Sequence, residues 1–248
     1  MTDAAAIHSS EPMLTPEPML AIRDLHAWYG ESHVLHGIDL EVPPGQVVTL
    51  LGRNGAGKST TLKSIMGIVP RRRGSICLQG TETIGLRPFH IARHGVAFCP
   101  EDRGIYATLD VKEHLELPKQ VDDGGFSTEQ ALDLFPNLRE RLHSPGTKLS
   151  GGEQQMLAIA RSLRTGAPLL LLDEPTEGLA PSIVEQIGDT IKKLKSQGYT
   201  ILLVEQNLRF AMEVADQFYL IDHGQVAAHY DRDGIEKDID ALLARLGV

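Results

Sequence analysis

Apolar residues along the chain fall into three spacings. Val47-Val48-Thr49-Leu50-Leu51, Leu169 to Leu172 and Ile201 to Val204 are apolar at almost every position, the pattern of parallel strands buried on both faces. Leu20 with Ile22, and Ile38 with Leu40 and Val42, alternate with polar residues and predict two strands of an antiparallel layer. Ile183–Leu194 and Leu208–Ala215 carry apolar residues at helical period after the second and third buried strands. Strand and helix alternating in this way predict an α/β fold, a parallel sheet with helices on both faces.

From about residue 87 to 165 helical spacing dominates, broken by one short apolar strand, Val96-Ala97-Phe98-Cys99. This predicts a helical subdomain inserted in the α/β core. Pro118 to Gly125 reads as a polar loop, and Ser127 with Gln130 as a capping box opening the next helix. Ile235–Leu246 predicts one amphipathic helix. Residues 1–18 are small and polar with Pro12, Pro16 and Pro18, and lack the basic start and apolar centre of a signal peptide. They predict a disordered tail ahead of one folded unit, 19–248, with no internal repeat.

Directly after the first buried strand, Gly52-Arg53-Asn54-Gly55-Ala56-Gly57-Lys58-Ser59 matches G-x-x-x-x-G-K-[ST], with Thr60 next in the following helix. Glycines let the backbone curl so that successive N–H groups face one anion, and the helix N-terminus adds partial positive charge. Lys58 is the candidate for the outer phosphates, and the Ser59 hydroxyl for Mg²⁺. The second buried strand ends in Asp173-Glu174, at the edge where α/β sheets bind ligands. Asp173 suits the Mg²⁺ shell, and Glu174 is placed to orient or deprotonate an attacking water. These features predict a nucleoside triphosphate site.

Between them lies Leu149-Ser150-Gly151-Gly152-Glu153-Gln154, a capping box around two glycines that opens a helix through Met156, Ile159 and Ala160. One phosphate loop has no use for a second anion-ready helix start in the same chain. The string Leu-Ser-Gly-Gly-Glu-Gln resembles the signature of ATP-binding cassette ATPases, in which this segment closes on the γ-phosphate held by the other subunit. The resemblance runs from Met19 onward and implies a RecA-like P-loop NTPase core that uses ATP and Mg²⁺. It also implies adenine stacking on Tyr29, and Ser150, Gly151, Gly152 and Glu153 acting on a partner's nucleotide. Glu101 would be the metal-facing loop residue, Glu177 to Pro181 the inter-subunit loop, and Gln206 the switch residue.

Two positions depart from the broad family pattern: Glu101 stands where Gln is usual, and Gln206 where His is usual. Glu101 keeps an oxygen for Mg²⁺ and adds charge. Gln206 donates a hydrogen bond but carries no titrating proton, which leaves Glu174 as the base. No step in turnover near pH 6.5 is then expected from the switch position, and a Gln206→His variant should gain one. With Gly178-Leu179-Ala180-Pro181 and Val204-Glu205-Gln206-Asn207, these departures resemble the ATPase of branched-chain and hydrophobic amino-acid importers. Importers of urea and short amides carry similar ATPases. The resemblance implies a second cassette, itself or a paralogue, two membrane permease subunits, and indirectly a periplasmic binding protein. It also implies a peripheral place on the cytoplasmic face of the inner membrane.

Composition adds constraints but no activity. Of 248 residues, 42% are hydrophobic and 23% charged, enough for a sizeable core, and no run approaches a membrane span. Cys77 and Cys99 exclude a disulfide framework and read as small buried hydrophobes, while Met156 and Met212 read as core. The formal net charge of -9 argues against nucleic acid as the partner, and so against a cassette ATPase working on nucleic acid or ribosomes. Arg71-Arg72-Arg73 reads as a solvated turn after a helix, and the ten histidines show no ligand spacing.

Overall fold

The computed structural model describes residues 17–239 together with 242 and 243, so almost all of the expected N-terminal tail and the end of the expected C-terminal helix lie outside the described residues. In chain order the first elements are β1 (Leu20–Tyr29), β2 (Ser32–Val42), β3 (Val47–Leu51), α1 (Lys58–Ile65), β4 (Arg71–Leu78) and β5 (Thr81–Glu82). Next come α2 (Pro88–Arg93), β6 (Val96–Cys99), α3 (Val111–Glu116), α4 (Thr128–Leu134), α5 (Pro136–Arg139) and α6 (Gly151–Leu163). The chain continues with β7 (Leu169–Asp173), α7 (Pro181–Ser196), β8 (Thr200–Glu205), α8 (Leu208–Val214), β9 (Gln217–Asp222), β10 (Gln225–Asp231) and α9 (Arg232–Lys237).

Six strands form the central sheet in the order β10-β9-β3-β8-β7-β6, parallel except for β10. Successive side chains of a strand point to opposite faces, so each buried strand feeds two cores. Val48 and Leu50 join Leu20, Ile22, Leu40 and Leu62, under the antiparallel layer and α1. Val47 and Leu51 join Leu157, Ile187, Ile191 and Phe210, under α6, α7 and α8. This double burial is why β3, β7 and β8 lack any polar alternation: all their residues are buried.

The register then gathers the chemistry. Leu51 lies opposite Glu205 and Asp173 opposite Val204, so β3, β7 and β8 end at one edge. Gly52, Glu174 and Gln206 each begin the turn beyond those ends. Among the described residues three helices between β6 and β7 open with full capping boxes, and the first two of these, α3 and α4, are short. Asp110 pairs with Glu113 at the start of α3, and Ser127 with Gln130 at the start of α4, as expected for the latter.

The second sheet is the expected antiparallel layer with two strands added to the two expected, in the order β2-β1-β4-β5. Arg71-Arg72-Arg73 is the start of β4 rather than a solvated turn, pairing with Trp28, Ala27 and His26 of β1. Arg71 lies over the Trp28 ring at 5.1 Å, and Arg72 donates to the carbonyls of Val69 and Leu86, both at 2.9 Å. The hairpin of β9 and β10 was not foreseen, because β10 has no fully buried position to mark it. Cys77 is half-buried beside Ser75 and Glu82, not a core residue; Cys99 is buried, and burial pushes its thiol up to about 12. Met156 is core and Met212 half-buried against it.

Candidate nucleotide site

The turn after β3 is shaped for an anion by close backbone approach. A Cβ on Gly52 would stand 2.3 Å from the Ile221 carbonyl oxygen, and one on Gly57 would stand 2.8 Å from Leu35 Cδ2. Gly57 also sits at φ 113°, which side chains avoid. No side chain caps α1 among the described residues, so its first N–H groups stay available at the positive end of the helix. Arg53 is exposed and Ala56 buried, so these two loop positions contribute backbone.

Lys58 is 4% exposed, and its Nζ donates to the carbonyls of Gly52 at 2.9 Å and Arg53 at 3.2 Å. The same ammonium lies 3.4 Å from Glu174 Oε1. Ser59 Oγ donates to Asp173 Oδ1 at 2.8 Å, joining the loop to the end of β7. Gln206 Nε2 donates to Glu174 Oε2 at 2.6 Å, joining that same edge to the turn after β8. Glu174 itself adopts φ 48°, a strained backbone for a non-glycine residue that aims its carboxylate into the cleft.

Lys58, Ser59 and Glu174 open onto a cleft of about 470 Å³. Tyr29, Asn54, Gly55, Gly57, Lys58, Ser59, Thr60, Glu101 and Glu174 line it, along with Val34 and Glu177. Glu177 is the addition: sequence reasoning placed it on an inter-subunit loop, and the fold turns it back toward the same cleft. Its carboxyl is held above the usual range, by burial first and then by Glu174 and Glu101. Asp173 is raised too, by burial above all, with Ser59 opposing and Glu174 and Glu101 adding.

Asp173 Oδ2 is buried without a hydrogen-bond partner among the described residues. An orphaned carboxylate oxygen beside a hydroxyl suits a hard divalent cation. No group of three or more His, Cys, Asp or Glu is arranged to hold a metal among the described residues. Mg²⁺ takes one or two protein oxygens and completes its shell with phosphates and water.

Ser150, Gly151, Gly152 and Glu153 are outside this cleft. Ser150 and Glu153 form the expected capping box, with bonds of 2.7 Å and 3.3 Å, and Gly152 packs against Ile183 so closely that a Cβ would meet it at 2.9 Å. The loop after β6 is tied to both ends of α6: Arg103 donates to Gln155 Oε1 near the start of the helix, and Arg161, in its last turn, donates to the carbonyls of Gly104 and Arg103.

Residues 35–177 match the ABC transporter family. The chain belongs to the ATP-binding subunits of ABC transporters. It is similar to the high-affinity branched-chain amino acid transport ATP-binding protein BraG of Pseudomonas aeruginosa, 42% identical over 214 residues, 85% of this chain and 92% of that one. It is also similar to the lipopolysaccharide export system ATP-binding protein LptB of Escherichia coli K12, 36% identical over 217 residues, 85% and 89% of the two chains. A solved ATP-binding subunit of an ABC transporter superposes with TM-score 0.79 at 31% identity, covering 93% of this chain and 100% of that one. As an ABC ATPase the chain binds and hydrolyses ATP on the P-loop NTPase fold described above. No described helix is long and apolar enough to cross a membrane.

Proposed function

We propose that this ABC ATPase drives uptake of branched-chain or other hydrophobic amino acids through separate permease subunits, on the cytoplasmic face of the membrane. BraG, the amino-acid transport relative, supports this over the lipopolysaccharide export of LptB, by the higher identity. Glu101 and Gln206, the two departures from the broad family pattern, favour the same subfamily.

The observation that carries the catalytic reading is the meeting of Lys58, Ser59, Asp173, Glu174 and Gln206 at one sheet edge. The turn after β3 and Lys58 bind the phosphates, and Tyr29 stacks on the base. Ser59, Asp173 and Glu101 would hold Mg²⁺, which supplies charge neutralisation on the phosphates. Glu174 takes the proton of the attacking water, and Gln206 holds Glu174 in place and donates to the transferred phosphate. The segment 87–165 is read as the helical subdomain that passes the closing and parting of two cassettes, on ATP binding and hydrolysis, to the permease through the Glu101 loop. Ser150 to Glu153 act on the nucleotide of a second cassette, since they have no phosphate of their own to face.

Glu174→Gln should abolish turnover, by about a thousandfold or more, and leave ATP affinity within about twofold. Near-normal hydrolysis by that variant would overturn the assignment of the base. Leucine uptake into vesicles holding the whole transporter, lost with Glu174→Gln, tests the substrate. Uptake of urea in place of leucine would reassign it.

A further inference from the structure

Next to Gln206 stands a carboxylate with no task in that mechanism. Glu205 closes β8 and is 3% exposed. A carboxylate so far from water persists only where strong donors hold it. Both of its donors come from the turns that carry the chemistry. Thr176 Oγ1, two residues after Glu174, donates to Glu205 Oε1 at 2.7 Å. The main-chain N–H of Asn207, one residue after Gln206, donates to Glu205 Oε2 at 3.4 Å. Asn207 in turn caps α8 through Phe210 N–H at 3.1 Å. The two turns are therefore joined twice, once in the cleft by Gln206 and once in the interior by Glu205.

We propose that Glu205 is a positioning residue for ATP hydrolysis, its ionised carboxylate holding the Glu174 turn against the Gln206 turn. The inference rests on the reading of Glu174 as base and Gln206 as its partner. A left-handed backbone at Glu174 is retained only where its surroundings over-determine it, and the Thr176 bond is such a constraint.

The same carboxylate gives the switch a proton dependence that Gln206 lacks. Burial pushes Glu205 up to about 7; the Thr176 and Asn207 bonds oppose that rise, and Glu174 adds to it. Glu174 is the charged group facing it from the turn after β7. Arg209 and Glu213 of α8 pair with each other at 4.0 Å and are exposed, as is Glu185 of α7. Ionised, Glu205 accepts at both oxygens; protonated, it turns one of them into a donor and loses part of the tie. Turnover should then fall as pH drops through about 7.

The test is ATPase turnover and ATP affinity from about pH 5.5 to about pH 8.5 for the full chain and three variants. Glu205→Gln, which keeps the shape without the charge, should lower kcat about tenfold above pH 7 and leave ATP affinity within about twofold. Its kcat should lack the acid limb and meet the unmodified protein's value below that limb. Thr176→Val should lower kcat similarly, and Thr176→Ser, which restores the hydroxyl, should recover it. An unchanged kcat with the acid limb intact in Glu205→Gln overturns the proposal, and so does a parallel loss of ATP affinity, the mark of general structural support. Should Glu205→Gln fail to fold, the Thr176 pair decides alone, since Thr176→Val with full kcat overturns the tie. Failure of the base reading is separate: it shows as turnover in Glu174→Gln, which none of these variants alters.

Discussion

The two helix starts built for anions, at α1 and at α6, share glycines and little else. Among the described residues no side chain caps α1, and the buried Lys58 ammonium donates to the loop carbonyls of Gly52 and Arg53. At α6 the Ser150 hydroxyl already takes the Glu153 N–H, and the Glu153 carboxylate takes the Ser150 N–H. The first is open and cationic, so it can bind a triphosphate by itself. The second is satisfied, carries an acidic residue in its first turn, and lies outside the cleft at α1. On the function proposed above, one is a site and the other is a lid for a partner's site. Removing Lys58 should therefore weaken ATP binding itself, while a change at Gly151 should spare binding and stop turnover.

That contrast gives the largest expected effect on ATP binding. Lys58→Ala should weaken ATP binding about a hundredfold, from loss of a buried charge-assisted contact to phosphate. Gly151→Asp should keep ATP affinity within about twofold and lower turnover about a hundredfold by repelling the partner's phosphate. Equilibrium ATP binding beside steady-state ATPase checks both, and weakened binding in Gly151→Asp would break the division of labour. Mixing the two variants sharpens it. If the cassette pairs with itself, mixed dimers hold one intact composite site, and up to about a quarter of the turnover should return.

A second contrast lies between what Glu205 does for turnover and what it does for the fold. Its folded value of about 7 exceeds the ordinary 4.5, so the folded chain holds this proton more tightly than the unfolded chain. The stabilisation from that proton is complete below pH 4.5 and is lost as pH rises through about 7, at most about 3 kcal/mol over that window. Glu205→Gln stays neutral throughout. Thermal unfolding should therefore show the variant gaining on the unmodified protein by several degrees between about pH 5 and about pH 7.5. A constant difference across that range would show that Glu205 keeps an ordinary carboxylate value. The charged form that organises hydrolysis is the one the fold tolerates less, as strained functional groups often are.

How far each part could be read from residues alone follows the range of its contacts. The phosphate loop and the capping boxes are legible because their partners are a few residues away, and the Asp173-Glu174 pair because it ends a doubly buried strand, although its partners Ser59 and Gln206 are far along the chain. The doubly buried strands are legible because both faces are core. β4 was hidden because its first residues are three arginines that become strand only by pairing with β1, far back in the chain. β10 was hidden because it pairs with β9 while keeping every residue at least partly exposed. Glu205 was visible as a letter and silent as a contact: Thr176 is 29 residues away, and only parallel β7 and β8 bring the two together.

The smallest effect belongs to the far end of the open site. Tyr29 ends β1 with 47% of its surface exposed, so nothing in the fold requires its ring. The hairpin that presents it is firm, however: Trp28 stacks on His33 at 4.4 Å, with Arg71 over the Trp28 ring at 5.1 Å. A ring held at a cleft mouth by a rigid hairpin can add stacking energy at little ordering cost. Tyr29→Ala should weaken ATP binding about fivefold, near 1 kcal/mol, and leave turnover at saturating ATP unchanged. Tyr29→Phe, which keeps the face and removes only the hydroxyl, should bind like the unmodified protein. Equal affinity for ATP in Tyr29→Ala would leave the phosphate end, the loop and Lys58, as the whole of the grip.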